Sequence, residues 1–179
     1  MSEPIPNRES PIPNPQSPIP NPQSPIPLLA LAVATVGGIG YAPVAPGTFG
    51  SIAGLAVWWL LPAWAVVHAI AIAILFVVGS WAGNVAETHF QKIDPGQVII
   101  DEVMGMLITL FLNPVGWAGA LLAFFLFRLF DVIKPYPSNR FEALPGGVGV
   151  MADDGMAAVY ANLALRACLW TSAHFFRPL

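Results

Sequence analysis

Between residues 28 and 179 the chain alternates long apolar runs with short polar segments. No stretch alternates with period two over a useful length, so strands are not expected. LLALAVATVGGIG, residues 28–40, reaches only about 20 Å as a helix, too short for a hydrocarbon core of about 30 Å. It reads as a re-entrant or protein-buried segment. From Ile52 to Gly83 a second run is broken only by Pro62; as one helix it would measure about 48 Å, so a bend at Pro62 into a hairpin or kinked span is expected. VIIDEVMGMLITLFL, residues 98–112, ends at Asn113-Pro114, and the run after it extends from Val115 to Phe127. A glycine-rich polar loop is expected up to Asp154, then a last apolar segment from about Gly155 to Phe176. Helices satisfy their own backbone polar groups in an apolar medium. The pattern therefore predicts an all-α fold: a multi-helical membrane-embedded bundle with four or more embedded segments, several of them short or hairpin-like.

The start of the chain follows a different rule. PIPNRES, PIPNPQS, PIPNPQS and a final PIP repeat a seven-residue unit over residues 4–27. Proline at this density fixes φ and removes backbone donors, which favours an extended, polyproline-like leader over helix or sheet. Residues 1–27 are expected to form a disordered leader and residues 28–179 the helical domain. Before Leu28 a single Arg8 faces Glu3 and Glu9, so the positive region of a signal peptide is missing.

Composition sharpens this picture. Hydrophobic residues make up 56% and charged residues 9%, against roughly 45–50% and about 25% in ordinary soluble domains. Such a chain is expected in or on a membrane. Net charge is −3, the sequence pI is about 5.4 and basic runs are absent, which argues against nucleic acid as a partner. One cysteine, Cys168, leaves no intramolecular disulfide to form and reads as a small apolar helix residue.

The few charges collect in two stretches, 87–102 and 128–154, at the ends of apolar runs. Asp101 and Glu102 fall at the start of one apolar helix and Asp131 at the end of another. A carboxylate near hydrocarbon costs about 2.5–3.5 kcal/mol on insertion scales, so it needs a cation or a wet site. In FRLFDVIKPYP, residues 127–137, Arg128, Asp131 and Lys134 recur every three residues along one helical face. An interfacial ion-pair ladder would explain that triplet alone. Asp153-Asp154, after GGVGV, adds a second problem: one aspartate suffices as a helix cap, and adjacent carboxylates repel unless a positive group lies beside them.

Asp101, Glu102, Asp131, Asp153 and Asp154 together form an oxygen-ligand set suited to Mg²⁺. Arg128, Lys134 and Arg140 are the cations suited to a phosphate. Metal ligands and cations beside an apolar wall describe a site for a lipid phosphate. GYAPVAPGTFGS, residues 40–51, adds a candidate anion-binding helix start around Gly47 and Thr48, with Thr48 or Ser51 as N-cap.

Four motifs in order, APGTFGSIAG, DPGQVIIDEVMG, FRLFDVIKPYP and GGVGVMADD, make residues 36–166 resemble the phosphatidylglycerophosphatase A family. The resemblance implies a Mg²⁺-dependent phosphatase of the bacterial inner membrane that converts phosphatidylglycerophosphate to phosphatidylglycerol and phosphate on the cytoplasmic side. It places the active-site stretch on Asp101, Glu102, Arg128, Asp131, Lys134, Pro135, Gly147, Gly149, Met151, Asp153 and Asp154. Within it, Asp131, Lys134 and Asp154 are read as catalytic, the five carboxylates as the metal set, and Arg128, Lys134, Arg140, Thr48 and Gly47 as substrate-binding. GMAAV after Asp154 and KPYPS around Ser138 depart from the family pattern without removing a charged site residue.

Other readings remain open on the residues alone. Asp154-Gly155 begins like a CDP-alcohol phosphotransferase motif, but the arginine that motif needs is Val159. Phosphatidic-acid phosphatases need two histidines, and only His89 lies near the charged stretches. A membrane transporter or ion-conducting protein would also place carboxylates at helix breaks. For residues 40–51, 84–102 and 128–154 to share one site, the runs between them must double back as hairpins, which puts Asp94 and Ser138 on the same side of the membrane.

Overall fold

The computed structural model describes residues 25–141 and 144–175; the proline repeats up to residue 24 and Glu142 lie outside the described residues. The described chain is all-helical: α1 (Pro25–Ala34), α2 (Pro46–Leu60), α3 (Ala65–Phe90), α4 (Ile100–Leu110), α5 (Trp117–Ile133), the single turn α6 (Ser138–Phe141) and α7 (Gly147–Phe175). The last PIP of the repeats is therefore not part of an extended leader. Its prolines occupy the first turn of α1, where no backbone N–H is needed.

Both proline breaks act as expected. α2 ends at Leu60, just before Pro62, and α4 ends at Leu110, ahead of Asn113-Pro114. The two resulting turns lie at one end of the molecule, where Trp58, His68, Leu110 and Asn113 surround a shared cavity and the Trp58 and His68 rings stack at 6.4 Å. α2 and α3 do not pack along each other. α2 lies on α4, and α3 on α1 and α7.

α4 is the centre of the fold. Nine of its eleven residues are buried, so this short helix is enclosed by protein on nearly all sides. Its last carbonyls would be orphaned in that setting. Asn162 of α7 donates to the carbonyls of Ile108, Thr109 and Phe111 at 2.9–3.0 Å, and Arg166 also reaches Phe111. The core has two parts, one around Ala30, Ala34, Ala82, Val103 and Met151, the other around Met106, Leu110, Phe127, Ala158 and Leu165.

Three sequence expectations change. The polar segment that follows the apolar run at Gly83, which reads in sequence as a loop, instead continues α3 to Phe90, so Asn84, Glu87 and His89 lie on the last two turns of that helix. GGVGVMADD is not a loop either, because α7 begins at Gly147 and carries Asp153 and Asp154 in its second turn. Neither aspartate is a cap; Asn84 of α3 serves there, its Oδ1 accepting the Gly147 N–H at 2.8 Å. A side chain at Gly147 would collide with the Ser80 carbonyl and with Gly83, so these glycines let two helices meet. Finally, neither Thr48 nor Ser51 caps α2. Ala45 is the N-cap and Pro46 the first residue, while Ser51 Oγ donates back to the Gly47 carbonyl at 2.9 Å.

Among the described residues, α3 is the helix both long and apolar enough to cross a membrane. At 26 residues it measures about 39 Å. Along it Val66, Ile70, Ile74 and Val77 form an exposed apolar stripe.

Candidate functional site

At the end opposite the two proline turns, a cavity of about 230 Å³ collects residues from both charged stretches and from the start of α2. Its wall includes Gly47 from α2, Glu87 from α3, Asp94 from the following loop, Asp101 and Glu102 from α4, Arg128 and Asp131 from α5, Lys134 just after it, and Asp153 and Asp154 from α7. The hairpins deliver this convergence: each apolar run leaves the site, turns at its proline and returns.

Asp101 and Glu102 occupy the first turn of α4, where the N-terminal end of the helix dipole favours negative charge. With Asp154 they present one carboxylate oxygen each, all within 4.8 Å of one another. Asp101 Oδ1, Glu102 Oε2 and Asp154 Oδ2 are buried and make no hydrogen bond. Burial pushes the carboxyls of Asp101 and Asp154 well above the ordinary range, with neighbouring carboxylates raising them further. Burial, with Asp154 and Asp131 nearby, pushes Glu102 up to about 7. Three buried, unpartnered acidic oxygens at this spacing are costly in themselves and suit a divalent cation. Mg²⁺ fits this all-oxygen set better than a softer metal, since no histidine or cysteine is among the described residues that line the cavity.

The remaining two carboxylates have other partners. Asp131 Oδ2 pairs with Arg128 Nη1 at 2.8 Å, and the same nitrogen lies 3.8 Å from Glu102 Oε1. That Nη1 is buried and has no aligned acceptor, so the contacts are ionic and its N–H is available to a ligand oxygen. Asp153 is gripped on both oxygens: Lys134 Nζ forms an ion pair with Oδ2, and Ser138 Oγ donates to Oδ1 at 2.7 Å. Asp131 and Asp153 thus hold cations, outside the triad whose oxygens converge.

Lys134 sits at the C-cap of α5 with φ 45° and ψ 62°, in the left-handed region. A non-glycine residue there is strained. Its conformation turns the chain out of α5 and leaves the ammonium in the cavity wall.

Not every expected binding residue reaches this cavity. Arg140 lies on α6, exposed, with its guanidinium 5.1 Å from the Tyr136 ring centre. Thr48 is partly buried and does not line the cavity, and its backbone N–H donates to the Ala45 carbonyl at 2.9 Å. Gly47 does border the site, and a side chain there would strike Glu102 Oε1 and approach the Arg128 guanidinium. Ser138 is not singled out by the sequence, whereas Glu87, with Asn84 and His89, is legible there as either a supporting group of the site or a solvated residue. Ser138 is fully buried as the second partner of Asp153, and Glu87 lines the cavity while its Oε1 accepts the Asp94 N–H at 3.2 Å. The sequence offered the position of Ser138 as a departure in KPYPS but no hint of its partner.

The family model described as Phosphatidylglycerophosphatase A matches residues 32–169. Phosphatidylglycerophosphatase A of Haemophilus influenzae is 37% identical over 134 residues, covering 73% of this chain and 82% of that protein. That of Escherichia coli is 32% identical over 126 residues, covering 68% and 73%. A Bacteroides thetaiotaomicron protein, provisionally named a phosphatidylinositol-3-phosphatase, is 38% identical over 151 residues, covering 79% and 94%. No solved structure matches the chain.

Proposed function

Because the chain belongs to the phosphatidylglycerophosphatase A family, we propose that it hydrolyses the terminal phosphate of phosphatidylglycerophosphate, at a membrane and with Mg²⁺. The observation that carries the reading is the triad of buried, unpartnered oxygens on Asp101, Glu102 and Asp154 beside the Arg128 and Lys134 cations. Carboxylates without cations would suit ion passage as well. The basic pair in the same wall points to phosphate.

Asp101, Glu102 and Asp154 would hold the metal, which supplies Lewis-acid polarisation of the phosphoryl group and offsets the charge that develops there. Arg128 presents its free Nη1 N–H to a phosphoryl oxygen, with Asp131 fixing the guanidinium. Lys134 contributes a point charge on the same wall, tethered by Asp153. In the overall reaction the bond from phosphorus to the glycerol oxygen breaks, the oxygen of water becomes bonded to phosphorus, and the departing alkoxide takes a proton.

The apolar surface supports a membrane setting. The exposed stripe of α3 is matched on α5 by Leu121, Phe125, Leu129 and Val132. Apolar faces of that extent are avoided on soluble monomers. With α3 crossing and the α4–α5 hairpin embedded, the cavity would open at the cytoplasmic boundary of a bacterial inner membrane.

The test is phosphate release by detergent-purified protein from phosphatidylglycerophosphate and, separately, from phosphatidylinositol 3-phosphate, each with Mg²⁺ and with chelator. The second lipid enters because of the Bacteroides relative. Mg²⁺-dependent release from the first lipid is expected; release only from the second would transfer the same site to that substrate, and release from neither would return the carboxylates to transport.

A further inference from the structure

Beside the metal-binding cavity lies a second, more open basin of about 420 Å³, and the two share Pro46 and Gly96 as a common rim. Lys92 and Gln97, from the loop between α3 and α4, line the basin together with Tyr41 and the 42–43 turn. Its chemistry differs from that of its neighbour: it holds a cation and an amide and no carboxylate.

The described cations can be sorted by what they already hold. Arg128 and Lys134 are in ion pairs inside the first cavity. Arg166 is bound at the far end of the molecule to Asn162 and the Phe111 carbonyl. Arg140 lies over Tyr136 and lines neither cavity. Lys92 is exposed and is the cation at the mouth of the second basin.

Resting on the reading of the first cavity as a phosphomonoester site, we propose that Lys92 and the basin around it bind the phosphodiester of the same lipid headgroup. The substrate carries two anionic groups joined by a glycerol bridge, one to be removed and one retained. The first cavity is lined by seven carboxylates against two cations, so a second phosphate drawn to its edge is repelled unless a positive group stands there. Lys92 supplies that charge one rim away, and Gln97 adds an amide donor for the phosphodiester or the glycerol hydroxyl. Lys92 is thereby a specificity residue that distinguishes a phosphatidyl-linked glycerophosphate from a simple phosphomonoester.

The two products separate the two subsites. Phosphatidylglycerol retains the phosphodiester and has lost the monoester, whereas inorganic phosphate has the opposite character. With short-chain phosphatidylglycerophosphate and full-length protein, Lys92→Gln is expected to raise KM about tenfold with a smaller change in kcat, the scale of one charge-assisted contact. Inhibition by short-chain phosphatidylglycerol should weaken by a similar factor while inhibition by inorganic phosphate stays as in the wild type. Lys92→Arg should restore both. An active Lys92→Gln with unchanged KM and unchanged phosphatidylglycerol inhibition overturns the basin alone. Equal weakening of both inhibitors also overturns it, since the effect would then belong to the first cavity. Absence of any phosphate release from this lipid by the wild type overturns the reading on which the basin rests, and the basin with it.

Discussion

Ser138, wholly buried, donates to one oxygen of Asp153 at 2.7 Å while Lys134 pairs with the other. Residues 134 and 138 flank the turn after α5, and Asp153 lies on α7, so this contact clamps the turn onto the helix that carries Asp154. Ser138→Ala leaves the buried Asp153 oxygen without that donor, at a cost of about 1–3 kcal/mol. The midpoint of thermal unfolding in detergent should fall, with Ser138→Thr closer to wild type.

Asp101 is expected to trade stability for function. Its Oδ1 is buried without a partner, among carboxylates. Asp101→Asn removes a charge that the metal-free protein gains nothing from, so the chelated variant should melt above the chelated wild type. The same variant should lose the rise in melting temperature expected of the wild type on addition of Mg²⁺, and lose phosphate release by 100-fold or more, on the order expected for a metal ligand.

The pH dependence of the metal-free protein follows from the same burial. Glu102 is raised from 4.5 to about 7, and Asp101 and Asp154 are raised as well. Between the ordinary carboxyl range and the folded values, the native state binds more protons than the unfolded chain, so its stability falls as pH rises. Chelated protein should therefore melt at a higher temperature at pH 5.5 than at pH 8. Mg²⁺ requires the deprotonated ligands, and its stabilising effect should be larger at pH 8. Unfolding curves at both pH values, with and without Mg²⁺, would expose the opposite sign.

Arg128 lies between Asp131 and Glu102 with an N–H to spare. Lysine in its place keeps one charge but loses the planar fork that faces two acids and would also hold the proposed phosphate. Arg128→Lys should reduce kcat/KM by about 10–100-fold, measured as phosphate release, while the protein still folds.

The hairpin arrangement predicts sidedness. Gln91 and Tyr136 are exposed near the site and Leu112 is exposed at the opposite end. In a Cys168→Ser background, single cysteines at 91 and 136 should be labelled from the same face of sealed membranes and one at 112 from the other. Ser138, buried against Asp153, is unsuited to such labelling. Labelling of 91 and 136 from opposite faces would contradict the proposed placement of the fold in a membrane.

Local chemistry made much of this legible in the chain. Pro62 and Asn113-Pro114 stand inside apolar runs, where proline removes a backbone donor and clashes with the preceding turn, and apolar runs of this length without period-two alternation become helices. The clustering of Asp101, Glu102, Arg128, Asp131, Lys134, Asp153 and Asp154 could be read as one site because charge at the edge of apolar runs needs charge of the other sign. What failed was the reading of helix starts. GGVGVMADD looks like a loop because glycine has poor helix propensity; Asn84, more than sixty residues earlier, supplies the cap that starts α7, and contact with Gly83 turns the small side chain into an advantage. Thr48 and Ser51 resemble caps, but Pro46 sets the start of α2 earlier.

The sequence by itself determined the helical class, the breaks, the family and the set of charged residues that meet. Those properties depend on residue type and near neighbours along the chain. Which carboxylates remain without partners was decided only by tertiary structure. Adjacent in sequence, Asp153 and Asp154 diverge because consecutive helical residues point about 100° apart: one meets Lys134 and Ser138, the other faces Asp101 and Glu102. No local pattern encodes that division, since each partner comes from a different helix or turn brought there by the hairpins.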